Sequence, residues 1–227
     1  LNIGASSAVK LRAPTGGELY ATFNDNGAVN LYYDAALKLA TTSTGINVTG
    51  NVNGLAITTT ATSNIGLGAN AVNSITTGDY NVGLGDESLT TVTSGDDNVA
   101  VGYGVLQATT TGSNNSGLGS YALFRNTTGA NNAAVGHSAL EANTTGGQNT
   151  AIGDHALNTN TTGSYNAGLS RYALFANTTG GNNTAIGHQS LAANTTASNN
   201  VAVGYQSLYA NTTGHSNTAL GAYSLDA

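Results

Sequence analysis

The chain has 227 residues, including 31 glycines and one proline but no cysteine, methionine or tryptophan; only 7% are charged and the net charge is −6. That charge content is far below the roughly 25% of an ordinary soluble domain, and with so little proline a disordered polyelectrolyte is disfavoured. Only Arg125 and Arg171 are basic from Asn64 onward, which disfavours nucleic-acid binding. The sequence has no run of 18 apolar residues for a membrane span, no visible basic-then-apolar leader, and no cysteine for disulfides or thiolate metal sites.

Residues 1–60 lack a long period and read as a β-rich connector. Glu18-Leu-Tyr-Ala-Thr-Phe, Asn24-Asp-Asn-Gly and Ala28-Val-Asn-Leu-Tyr-Tyr form a hairpin pattern. Asn26-Gly27 suits a type I′ turn, which needs two residues tolerant of positive φ. Leu37-Lys-Leu-Ala-Thr-Thr and Ile46-Asn-Val-Thr-Gly continue the meander. The boundary with the second region is expected near Ala61, giving units of residues 1–60 and 61–227.

From Asn64 the text becomes periodic. Asn recurs every 17 residues from Asn64 to Asn217, ten times without insertion or deletion. Gly follows four positions later, Ser170 being the one exception, and an aliphatic residue precedes it. Leu follows four positions beyond, with Val72 in the first copy. Asn132, Gly136 and Leu140 define one copy; Asn149, Gly153 and Leu157, and Asn183, Gly187 and Leu191, define others. The consensus is N-x-[AG]-[LIV]-G-x-x-[AS]-L-x-x-N-T-T-G-x-x. Ser120-Tyr-Ala-Leu-Phe-Arg and Arg171-Tyr-Ala-Leu-Phe-Ala lie 51 residues apart, so blocks of three copies look duplicated. The tenth copy stops before its N-T-T, which points to a longer parent protein.

A helical repeat needs more than about 30 residues, and Gly, Thr and Asn are poor helix formers. Seventeen residues suit one coil of a parallel β-solenoid. N-x-A-I-G alternates as a strand does, A-L-x-x is a second strand or a tight return, and N-T-T-G is a turn whose Gly takes positive φ. Coils stacked about 4.8 Å apart would make ten into a rod on the order of 48 Å, with Asn and Thr side chains in ladders that hold the register. Each coil has only two large apolar positions, a layer too thin to close well alone. Three coils sharing that layer around an axis, with the small Ala or Gly column permitting close approach, predict a homotrimer.

The repeats resemble the YadA-type head of trimeric autotransporter adhesins, whose motif centres on N-x-A-I-G, through Asn149-Thr-Ala-Ile-Gly153 and Asn183-Thr-Ala-Ile-Gly187. That resemblance implies a left-handed parallel β-roll, trimeric, with one strand of each coil facing the three-fold axis. The 17-residue coil and its A-L-x-x-N-T-T-G return depart from that family, so the outer loop should differ. Gly27-Ala-Val-Asn-Leu-Tyr-Tyr-Asp34 and Thr41-Thr-Ser-Thr-Gly-Ile-Asn-Val-Thr-Gly50 resemble segments of bacteriophage tail fibres. Together the resemblances imply a structural, adhesive fibre segment on a virion, or otherwise at a cell surface. Its partners would be two further copies of itself and a glycan or protein receptor on a host cell. A bacterial trimeric surface adhesin and an ice-binding solenoid are the alternatives.

No enzyme, catalytic residue, cofactor or metal site is expected. His137 and His188 occupy equivalent positions three coils apart, about 14 Å at the spacing above, too far for shared ligation. Asp86-Glu87 and Asp96-Asp97 lack the spaced oxygen ligands of a calcium loop. The acidic residues form no column that would pair two carboxylates for glycoside cleavage, as a depolymerase fibre would need. The sequons at Asn126 and Asn143 would matter only in a eukaryotic secretory route. The candidate receptor contacts are the outer aromatics Tyr121, Phe124, Tyr172, Phe175, Tyr205, Tyr209 and Tyr223, which with neighbouring Asn offer stacking faces for sugar rings.

Overall fold

The computed structural model describes residues 9–13, 18–24, 27–34, 36–42, 45–48 and 64–226. The chain divides into two compact units, Leu1–Leu55 and Ala56–Ala227. The boundary expected near Ala61 falls outside the described residues.

The first unit is an antiparallel meander of β1 (Val9–Arg12), β2 (Leu19–Phe23), β3 (Val29–Tyr33), β4 (Ala36–Thr42) and β5 (Gly45–Val48), each strand paired with its sequence neighbour. The expected hairpin is β2–β3, with Phe23 opposite Val29. Asn26 of the expected type I′ turn lies outside the described residues. The Gly27 N–H donates to the Asn24 carbonyl at 3.2 Å, closing the loop one residue earlier than a turn centred on Asn26-Gly27 would. The strand Val9–Arg12 was not anticipated; Val-Lys-Leu-Arg alternates, but over too few residues to stand out.

The second unit is a parallel β-solenoid. Ten three-residue strands, β6 (Ile65–Leu67) to β15 (Thr218–Leu220), form one parallel sheet in chain order. Each residue pairs with its equivalent 17 positions on: Ala133 with Thr150, Ala134 with Ala151 and Val135 with Ile152. The A-L-x-x segment is the tight return and not a second strand. It turns because its Leu is left-handed, with φ of 52° at Leu140 and 51° at Leu157. The coil nonetheless stays bonded to its neighbour there, the Leu140 N–H donating to the Ala156 carbonyl at 3.0 Å.

Two expectations about glycine and alanine are corrected. Positive φ belongs to the Gly after the aliphatic residue, 131° at Gly136 and 136° at Gly153, and not to the Gly of N-T-T-G. The latter is small for another reason: a Cβ on Gly146 would sit 2.3 Å from the Gly163 carbonyl oxygen of the next coil. The small Ala or Gly column faces the coil interior and not an outer axis, since Ala134, Ala151 and Ala185 are fully buried. There it meets Leu140, Leu157 and Leu191, which are also fully buried, in one continuous cluster. Volume is matched locally: where Val105 replaces the usual Ala or Ser, the facing strand residue is Gly117, whose added Cβ would lie 2.4 Å from a Val105 methyl.

The interior therefore closes within one chain, and asparagine completes it. Asn149 is buried, its Nδ2 donating to the Asn132 Oδ1 at 3.1 Å and to the Gly163 carbonyl at 2.9 Å. Its Oδ1 accepts the Asn166 N–H at 3.0 Å. A second ladder runs through the Asn of N-T-T, Asn143 Nδ2 donating to Asn126 Oδ1 at 2.7 Å. This second column begins as Ile75 and Val92, passes through Thr109, and becomes Asn from Asn126. Thr109, between the apolar and polar stretches, has a buried Oγ1 without a partner. The first Thr of each pair also ladders, Thr127 Oγ1 donating to the Thr144 carbonyl at 3.0 Å.

Candidate functional site

The strand face that points away from the interior is uncharged, and its third-position column is aliphatic throughout. In Thr150–Ile152 the middle Ala is buried and Ile152 is exposed. The same outward column includes Leu118, Val135, Ile186 and Leu220, each between 39% and 78% exposed. From Ile65 to Leu220 no outward strand position carries a charge. These residues, and not the Ala or Gly column, form the aliphatic stripe open to a partner.

The turn after each Gly builds a second surface. From Tyr103 to Tyr223 every coil contributes one ring there, from the first or the second residue of the turn. The run is Tyr103, Tyr121, His137, His155, Tyr172, His188, Tyr205 and Tyr223, with successive centroids 5.2–6.3 Å apart. These separations are those of favourable ring pairs. Phe124 and Phe175 join edge-on, 5.4 Å from Tyr121 and 5.3 Å from Tyr172. His188 lies nearly parallel to Tyr205, at 8°.

All the candidates picked from the sequence except Tyr209 are thus placed along one line. Tyr121 with Phe124, and Tyr172 with Phe175, are pairs within it, and Tyr205 and Tyr223 continue it. Tyr172, Phe175 and Tyr209 converge with Gln189, Ala192 and Ala193 on an open cleft of about 370 Å³. The histidines are the members that sequence reasoning missed. Reading strict columns at 17 hides them, because the ring alternates between the two turn positions and the spacing runs through 16, 17 and 18.

Polar groups gather midway along this line. Asp154 Oδ1 lies 2.9 Å from His155 Nδ1 and 3.5 Å from His137 Nδ1, while its Oδ2 accepts from Arg171 Nε at 3.0 Å. Partial desolvation acts to raise the Asp154 carboxyl, but the hydrogen bonds from Arg171 and His155 outweigh it and hold the group below the usual carboxylate range. The bond to Asp154 in turn raises the Arg171 guanidinium. Arg171 also lies over the Tyr172 ring, 4.4 Å from its centroid. At the other end, the charge of Glu87 raises the Tyr103 phenol.

The remaining motifs are structural. Asn126 and Asn143 are fully buried, so the folded sequons present no acceptor to a glycosylating enzyme. The second Thr of the N-T-T turn is exposed in every coil from Thr111 to Thr213. Compared with known proteins, the chain matches no protein-family model, no curated protein and no solved structure.

Proposed function

We propose that the chain is a non-enzymatic segment of a trimeric fibre, of the bacteriophage tail-fibre kind, that presents a receptor-contacting surface to a host cell. The observation that carries this reading is the uncharged aliphatic stripe on the outward strand face. An exposed apolar patch of this length marks an interaction surface. A second copy fits it best, because only a partner with the same 17-residue pitch repeats its apolar positions in step. Three copies would then display three ring lines, and each gains avidity from the others. Aromatic faces beside Gln189 suit a sugar ring, so the receptor class is a surface glycan, contacted at Tyr172, Phe175 and Tyr209.

Two substitutions test the two halves separately. Ile152→Glu with Ile186→Glu places charge on the stripe and should dissociate the assembly in sedimentation velocity; unchanged sedimentation would contradict the strand-face interface. Tyr172→Ala with Tyr209→Ala should abolish capture on a glycan array while leaving assembly intact; undiminished capture would remove the cleft from the account. A bacterial trimeric adhesin would share this geometry, and an anchor domain encoded downstream would distinguish it from a tail fibre. The outward Thr column favours one further reading, an ice-binding solenoid; thermal hysteresis in a freezing assay would support it and its absence would discard it.

A further inference from the structure

We propose that His137, Asp154 and His155 form a binding site for a divalent first-row transition ion of the zinc class, joining two adjacent coils. Each residue offers one ligand atom, and these atoms lie within 4.8 Å of one another. Tetrahedral zinc with nitrogen and oxygen ligands at about 2.0–2.2 Å places its ligand atoms roughly 3.2–3.6 Å apart. Of the Asp154 Oδ1 separations from the two imidazoles, 3.5 Å to His137 falls within that range and 2.9 Å to His155 is about 0.3 Å short of it. The His137 side chain is 54% exposed, so a small rotation toward Asp154 would shorten the longest edge without displacing buried neighbours.

The donor set selects the ion. Two imidazoles and one carboxylate suit zinc, nickel or copper, whereas calcium and magnesium need several oxygens. The Arg171 contact is compatible with ligation, since it occupies Oδ2 and leaves Oδ1 directed at the histidines. A partner of that kind orients a ligating carboxylate. Its charge offsets that of Asp154, which makes the site one for an imidazole-seeking ion and not for any cation. The coil geometry supplies the constellation: His137 follows Gly136, and Asp154 and His155 follow Gly153 one coil on. His188 follows Gly187 in the same way, but the next coil places Tyr205 and Gln206 beside it. It is therefore the internal control. The site does not depend on the fibre reading.

The test is isothermal titration of the purified, tag-free chain with zinc chloride. One zinc per chain is expected, with no response to calcium chloride at the same concentrations. His137→Ala and His155→Ala should each weaken binding at least about tenfold, and His188→Ala should leave it unchanged. Cobalt substitution should give the intense visible absorption of a tetrahedral site, lost in His155→Ala. Because His137 is exposed and His155 half-buried, circular dichroism should report the same fold in every variant. Absence of zinc binding, equal binding by calcium, or binding that survives both His137→Ala and His155→Ala would overturn the proposal.

Discussion

The meander and the solenoid are both β-structures, yet their side chains do different work. In the meander, strands pair with sequence neighbours, and Tyr20, Phe23, Leu31 and Tyr33 remain 42–75% exposed. Ala21, Thr22 and Ala40 are buried. Its order comes from backbone ladders and short turns. In the solenoid each coil has a three-residue strand, below the usual five or six, and no strand of that length would persist alone. Its order comes from columns: Leu on Leu, Asn on Asn, Thr on Thr. A substitution in a column therefore disturbs three coils, whereas one in the meander disturbs a single strand pair.

The largest expected effect follows from that contrast. Leu140→Ala empties a fully buried site and should cost about 2–5 kcal/mol, whereas Leu31→Ala, at a 43% exposed site of the meander, should change stability by about 0.5 kcal/mol or less. Urea denaturation followed by circular dichroism checks both, and equal costs would abolish the distinction. Next comes Asn149→Ala, which leaves the buried Asn166 N–H without its acceptor and should cost about 1–3 kcal/mol. Amide exchange at Asn166 should accelerate in the same variant.

Two smaller effects have the opposite sign. Ser170 holds φ at 123°, where its column is otherwise Gly. Relief of about 1–3 kcal/mol of strain, less about 0.4–1 kcal/mol for the looser unfolded chain, makes Ser170→Gly stabilising by about 1 kcal/mol. Thr109→Val removes the unpartnered buried hydroxyl and should stabilise by a similar amount, about 1 kcal/mol. Thermal melting resolves both, and a loss of stability in either would contradict the strain or orphaned-hydroxyl account. The smallest effect separates adjacent threonines. Thr127→Val loses the bond to the Thr144 carbonyl and should cost about 0.5–1.5 kcal/mol, while exposed Thr128→Val should stay within about 0.5 kcal/mol.

The 17-residue recurrence of Asn, Gly and Leu made the coil and its register legible, because a gapless period allows only one alignment of neighbours. It did not reveal which face of N-x-A-I-G turns inward. Alternation distinguishes two faces, but Ala on one and Ile or Val on the other fit a core or a contact surface equally well. The deciding fact is the Leu at φ near 52°, a conformation that bulky side chains rarely adopt and that propensity does not suggest. It turns Leu140 into the interior, in one buried cluster with Ala134, leaving Ile152 and its equivalents outside. The ring line and the His137–Asp154–His155 cluster escaped for a related reason. Successive rings, His137 and His155 among them, are spaced by 16, 17 or 18 residues, so a fixed column separates what the stacked turns bring together, although His137 and Asp154 share a column at 17.

The native mass of the unaltered chain in solution, by multi-angle light scattering, bears most directly on the proposal that identical outward strand faces meet around an axis. It should be three times the 22.5 kDa chain mass and independent of concentration down to the detection limit. A single-chain mass under the same conditions would contradict it, leaving the aliphatic stripe to some other occupant.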